Sequence, residues 1–193
     1  MMYAMTVALR KPMTREEFFD WAQTQDGRFE FDGFGPVAMV GGTNNHGIIT
    51  RNLLGQLYVR LRGKRCQSMP AEGGGVATTG NRVRYPEAAV TCSRVPGRER
   101  LLPDPVVVFE VISPSTQRVD QVLKLREYHA VPTIKRYVLI EQDGIAVTLH
   151  ARQGDEPWVT RALVQDDILP LPEIGIEIPV AELYDGVVFD DAG

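Results

Sequence analysis

The chain has 193 residues, 44% hydrophobic and 24% charged, with a formal net charge of −4 and a pI near 5.4. That suits one domain filling residues 1–193 around a core of about 14–184, and excludes a disordered or fibrous chain. Met1 to Pro12 lacks a leader-like pattern and no window approaches a membrane span, so a cytoplasmic protein without a membrane partner is expected; net acidity argues against indiscriminate coating of nucleic acid.

Thr14-Arg15-Glu16-Glu17 is a capping box, and the helix it opens carries Phe18, Phe19 and Trp21. Phe29-Glu30-Phe31 alternates, Asp32-Gly33 turns, and Pro36 to Val40 runs extended, which predicts a hairpin. Gly41 to Asn45 is a loop ending in good N-caps. A long helix to about Arg62 follows, with Ile49, Leu53, Leu57 and Leu61 as its apolar stripe and Gly63 as its stop. Cys66 to Arg84 reads as short irregular strands broken at Gly73-Gly74-Gly75. Cys66 and Cys92 have no metal-like spacing, so two reduced thiols are expected.

A strand follows Tyr85-Pro86-Glu87, then a loop with Arg94, Arg98 and Arg100. Pro105-Val106-Val107-Val108-Phe109-Glu110-Val111-Ile112 is short, β-branched and bounded by prolines, the pattern of a strand buried on both faces. A helix over 116–130 comes next, then a strand at Lys135 to Ile140. Ala146–Ala151 and Trp158–Leu163 read as an antiparallel pair turning at Gln153-Gly154-Asp155. A proline-rich remainder ends in a short helix near Val180 to Tyr184. The Glu87, Glu110 and Arg136–Ile140 segments should be neighbours in one mixed sheet covered by the two long helices.

Glu110 is the charge that needs a reason. A carboxylate in an apolar strand is costly unless it is paired or bound to a metal. Glu87 stands just ahead of a neighbouring strand, and Asp120, Lys124 and Tyr128 recur every four residues along one helix face. Two carboxylates and a lysine form a candidate site for a hard divalent ion, beside which the lysine could hold an attacking water. The bland alternatives are a paired strand-end Glu110, a solvated Glu87 and Lys124, an Asp120 that only caps its helix, and a surface or capping His46. From Gly33 through Ala71 there is no acid, while Arg51, Arg60, Arg62, Lys64 and Arg65 are all basic. That stretch is a candidate phosphate-facing wall or, equally, a solvated helix face.

Phe29-Glu30-Phe31-Asp32-Gly33, His46, Pro86-Glu87, the run from Pro103 through Thr116, then Asp120, Lys124, Tyr128 and Arg136–Ile140 form an ordered series. The series resembles the Uma (Uma-two) family of bacterial endonuclease-like proteins across about Thr14 to Leu183. The resemblance implies an α/β, restriction-endonuclease-like PD-(D/E)XK fold, a mixed β-sheet flanked by helices. It implies magnesium (or manganese) held by Glu87, Glu110 and the Val111 carbonyl, with Glu87, Glu110, Lys124 and Glu30 as catalytic residues. Ile112 stands where the family's usual lysine would be, so that role passes to Lys124, and Glu87 replaces the family's usual aspartate. The implied function is metal-dependent cleavage of nucleic acid, DNA first, by a homodimer. The alternatives are a degenerate nuclease fold that binds nucleic acid or a protein without cutting, and a structural homo-oligomer with no site.

Overall fold

The structure, a computed structural model, describes residues 12–39, 41–112, 118–154 and 156–189. The readings that touch Val40, Ser113–Thr116, Asp155 and the extreme termini lie outside them. Helix α1 (Arg15–Ala22) starts as the capping box dictates. Thr14 Oγ1 accepts from the Glu17 amide at 3.1 Å, and the Glu17 carboxylate accepts from the Thr14 amide at 2.7 Å. The hairpin is β1 (Phe29–Phe31) and β2 (Pro36–Ala38), with Glu30 opposite Val37. At its turn Asp32 Oδ1 accepts from the amides of Phe34 and Gly35, both at 2.8 Å. Gly33 is required there: its φ is +88°, and a Cβ would fall 2.3 Å from the Gly80 carbonyl oxygen.

Helix α2 (Asn44–Leu61) is capped by Thr43 and buries Ile49, Leu53, Leu57 and Leu61, the predicted stripe. Then come β3 (Gln67–Pro70), β4 (Val76–Ala77), β5 (Val83–Arg84), β6 (Ala88–Thr91) and β7 (Pro105–Ile112). Helix α3 (Arg118–His129) leads to β8 (Arg136–Glu141), β9 (Val147–Ala151), β10 (Val159–Leu163), β11 (Ile168–Leu171), β12 (Ile176–Pro179) and α4 (Val180–Leu183).

Six strands form one mixed sheet in the order β10-β9-β8-β7-β6-β3, antiparallel except for the parallel pair β7 and β8 that α3 connects. The three segments expected to be neighbours are neighbours. Strand β7 shows why its run is apolar throughout. Val107, Phe109 and Val111 join the core beneath α2, while Val108 and Ile112 join a second core with Tyr128, Ile134 and Tyr137. Glu110, of the same parity as Val108, therefore points to the α3 side. A smaller sheet, β2-β1-β5-β4, carries Phe31 and Val83 onto Phe18 of α1.

One expectation is filled in and one is corrected. The proline-rich remainder forms a paired hairpin, β11 with β12, because Leu169, Leu171, Ile174 and Ile178 supply a buried face despite the prolines. Cys66 and Cys92 are joined in a disulfide rather than free. Antiparallel β3 and β6 pair Gln67 with Thr91, so the next pair outward sets Cys66 against Cys92. That proximity follows from strand register and leaves no trace in residue spacing.

Candidate functional site

The register of β6 and β7 builds the site. Ala88 pairs with Phe109, so one step further Glu87 comes level with Glu110. Glu110 is 6% exposed. Its two oxygens each accept from Lys124 Nζ at 3.2 Å, and Oε1 also accepts from the Tyr128 hydroxyl at 3.0 Å. Lys124 and Tyr128 reach it together because positions four apart on α3 share a face. Glu87 turns one oxygen to the Val111 amide at 2.9 Å and the other to His46 Nε2 at 3.2 Å. His46 sits in the first turn of α2. Gly42 leaves it room, since a Cβ there would come within 2.5 Å of the imidazole. Glu30, from the small sheet, completes the cluster. Its Oε1 lies 3.5 Å from Lys124 Nζ and accepts from the Tyr85 amide at 3.2 Å, while Oε2 accepts from Arg84 at 2.8 Å.

These side chains line one cleft of about 630 Å³, walled by the β1–β2 hairpin, the N-terminus of α2, the end of β7 and α3. Glu30, Glu87, Glu110, Val111 and Lys124, all singled out from sequence, meet there, and Asp120 joins them with Oδ2 3.9 Å from Lys124 Nζ. The five basic residues of the acid-free stretch do not line it. Arg60 bonds to Glu182 and to the Glu177 carbonyl, Lys64 to the Gly175 carbonyl, and Arg65 to the Cys92 carbonyl. Arg60 is also about 21 Å along α2 from His46 at 1.5 Å per residue.

Burial and neighbouring charges perturb the titration of the cluster. Burial pushes the Glu110 carboxyl up to about 7. Glu87 and Glu30 push the same way, and Lys124 only partly offsets them. Burial alone would push the Lys124 ammonium down, but Glu110, Glu30 and Asp120 outweigh it and hold it above the usual lysine range. Glu30 is raised by burial, yet Lys124 and Arg84 hold it below the ordinary carboxylate value. A carboxyl near 7, a locked ammonium and three further acids in one cleft are the kind of perturbed set that functional sites collect.

The donor chemistry fits a hard divalent cation, because carboxylate and carbonyl oxygens suit magnesium or manganese. Glu110 also stands among more anionic than cationic neighbours in the cleft. Among the described residues no three His, Cys, Asp or Glu side chains converge on one point; the oxygen donors of Glu87, Glu110 and the Val111 carbonyl belong to residues that line the same cleft and could serve such an ion. Sequence reading missed the residues behind the cleft, Arg84, Glu127 and Thr78. Thr78 Oγ1 donates to Glu127 at 3.0 Å, and Arg84 makes two bonds to Glu127 at 2.8 and 2.9 Å. The only available signal was an arginine ending a short apolar strand.

Residues 15–181 match the sequence pattern of a family described as Uma2, putative restriction endonuclease. The uncharacterized protein slr1290 of Synechocystis sp. (strain PCC 6803) is 27% identical over 178 residues, 92% of this chain and 94% of the relative. A second uncharacterized Synechocystis protein, sll1609, is 22% identical over 166 residues, 84% of this chain and 94% of the relative. Among solved structures, a putative nuclease belonging to DUF820 from Anabaena variabilis superposes with a TM-score of 0.70. It is 17% identical and covers 92% of this chain and 100% of its own. The fold is therefore of the restriction-endonuclease-like type.

Proposed function

The chain belongs to the Uma2 family of restriction endonuclease-like proteins, and on that premise we propose that its cleft hydrolyses nucleic-acid phosphodiester bonds, DNA first among them. The observation that carries the reading is Glu110. It is a carboxylate buried on a strand inside an acid-lined cleft, with a lysine ammonium against both its oxygens. A stability-driven fold would have replaced it with an apolar residue.

Glu87, Glu110 and the Val111 carbonyl are the donors for magnesium or manganese. Such an ion, when bound, polarises a phosphate oxygen and lowers the pKa of a water. Lys124 supplies the positive charge that orients the attacking water and offsets the negative charge gathered on the phosphoryl group. Glu30 holds the ammonium at the cleft, and Tyr128 fixes the Glu110 carboxylate. His46 keeps Glu87 turned inward. The attacking water gives up a proton to solvent as it forms the new phosphorus–oxygen bond, the bond from phosphorus to the leaving oxygen breaks, and that oxygen takes a proton from solvent.

The test pairs binding with cleavage. Glu110→Gln and Glu87→Gln should lose manganese binding by calorimetry and cleavage of supercoiled plasmid while keeping the fold. A Glu110→Gln protein that binds manganese as the parent does would refute the assignment. A second reading, binding of nucleic acid or a protein without cleavage, draws on Lys124 already occupying both Glu110 oxygens. It predicts a parent that retards DNA in gels but never cuts it.

A further inference from the structure

Glu30, Arg84, Glu127 and Lys124 form a chain of alternating charge that the backbone of α3 closes into a ring. Lys124 Nζ lies 3.5 Å from Glu30, Glu30 accepts from Arg84 at 2.8 Å, and Arg84 grips Glu127 through two bonds. Glu127 returns to α3 three residues from Lys124, less than one helical turn away. Arg84 and Glu127 are only 3% and 2% exposed, and neither lines the cleft. Thr78 donates to Glu127 as well, and Arg82 Nε lies 3.4 Å from it.

Buried charges at this depth are expensive, and a well-packed apolar pair of the same volume would stabilise the fold at least as well. Their geometry offers something an apolar pair lacks. The ring ties the small sheet, through β1 and β5, to the helix that carries Lys124. Without it, the ammonium keeps Glu110 and the more distant Asp120, but the Glu30 beside it is held in place only by the Tyr85 amide.

Resting on the nuclease reading above, we infer that Arg84 and Glu127 are positioning residues that fix Lys124 over the cleft through Glu30 and touch no substrate. The single variant Arg84→Met leaves buried Glu127 to Thr78 and the longer contact with Arg82, and Glu127→Gln leaves Arg84 short of a charge partner, so either alone can unfold the chain. The informative variant replaces both, Arg84→Met with Glu127→Leu. It should stay folded, with a Tm within about 5 °C of the parent. Its kcat on plasmid or oligonucleotide should fall by about tenfold to a hundredfold, the scale of a misplaced catalytic group, with KM within about twofold.

The same double change in a Lys124→Ala background should cost nothing further, because its effect passes through Lys124. A purely structural pair would lose the same factor in both backgrounds, and that result overturns the inference, as does a double variant that cleaves like the parent. If the parent cleaves no DNA or RNA, the nuclease reading fails and the ring is judged by stability alone. The Tm shifts of Lys124→Met and of the double change should then be non-additive by more than about 2 °C. That coupling should vanish in a Glu30→Gln background, since Glu30 is the bridge. Additive shifts, or coupling that survives the loss of Glu30, overturn the ring.

Discussion

Replacing Glu110 with Gln should remove function and add stability, with a pH dependence that identifies the cause. In the fold the carboxyl is pushed from 4.5 up to about 7, by burial first and then by Glu87 and Glu30. Between those two values the folded chain binds more protons than the unfolded one. The contribution of Glu110 to stability is therefore fully present below about 4.5 and drains away as pH rises through about 7. Each pH unit between the two values is worth about 1.4 kcal/mol, so the ionised carboxylate costs about 3 kcal/mol at pH 8 and under about 1 kcal/mol at pH 5. Gln does not ionise and escapes that cost. It gives up one acceptor to Lys124 or Tyr128, a loss of about 1 kcal/mol. The net expectation at pH 8 is a gain of about 2 kcal/mol, or about 4–8 °C in Tm for a chain of this size, shrinking to nothing near pH 5. Calorimetric scans in chelator at the two pH values check this, and the fluorescence of Trp21 and Trp158 offers a second probe. If the Tm difference between the two proteins is the same at pH 5 and pH 8, or if the variant is less stable at pH 8, the cluster does not strain Glu110 as argued.

Lys124→Ala should spare manganese binding yet lower cleavage by about a hundredfold, and Lys124→Arg should recover little of it, because a planar fork cannot replace a compact ammonium; cleavage at the parental rate would move the role elsewhere. Cutting the Cys66–Cys92 bond by replacing both cysteines with Ser should cost up to about 3.5 kcal/mol, the chain-entropy value for cysteines 26 positions apart, read by urea unfolding with and without reductant. Arg60→Gln should lower Tm measurably because it breaks bonds to Glu182 and to the Glu177 carbonyl, while Arg51→Gln, whose guanidinium bonds to neighbouring Asn52, should not. Gly42→Ala should drive the His46 imidazole away from Glu87, and manganese affinity measured by calorimetry should fall with it.

What the sequence determined by itself was local or periodic. The capping box at Thr14, the four-residue stripe of α2, the Asp32-Gly33 turn and the two-sided apolar run of β7 each depend on residues near one another in the chain, so their physics is complete before the chain folds. The same holds for Lys124 and Tyr128, which share a face of α3 by helical geometry alone. A charge at position 110 inside that run was visible as an anomaly for the same reason. Only the tertiary structure decided where distant polar groups end up. Arg84 and Glu127, 43 positions apart, look like surface charges in sequence and lie buried against each other in the fold. The basic residues of the acid-free stretch read as a phosphate wall, yet Arg60, Lys64 and Arg65 are taken by backbone carbonyls or by Glu182. Cys66 meets Cys92 because β3 and β6 pair in one register and not the next. Strand register and helix docking are long-range choices fixed by the total burial of both cores, and no window of sequence contains them.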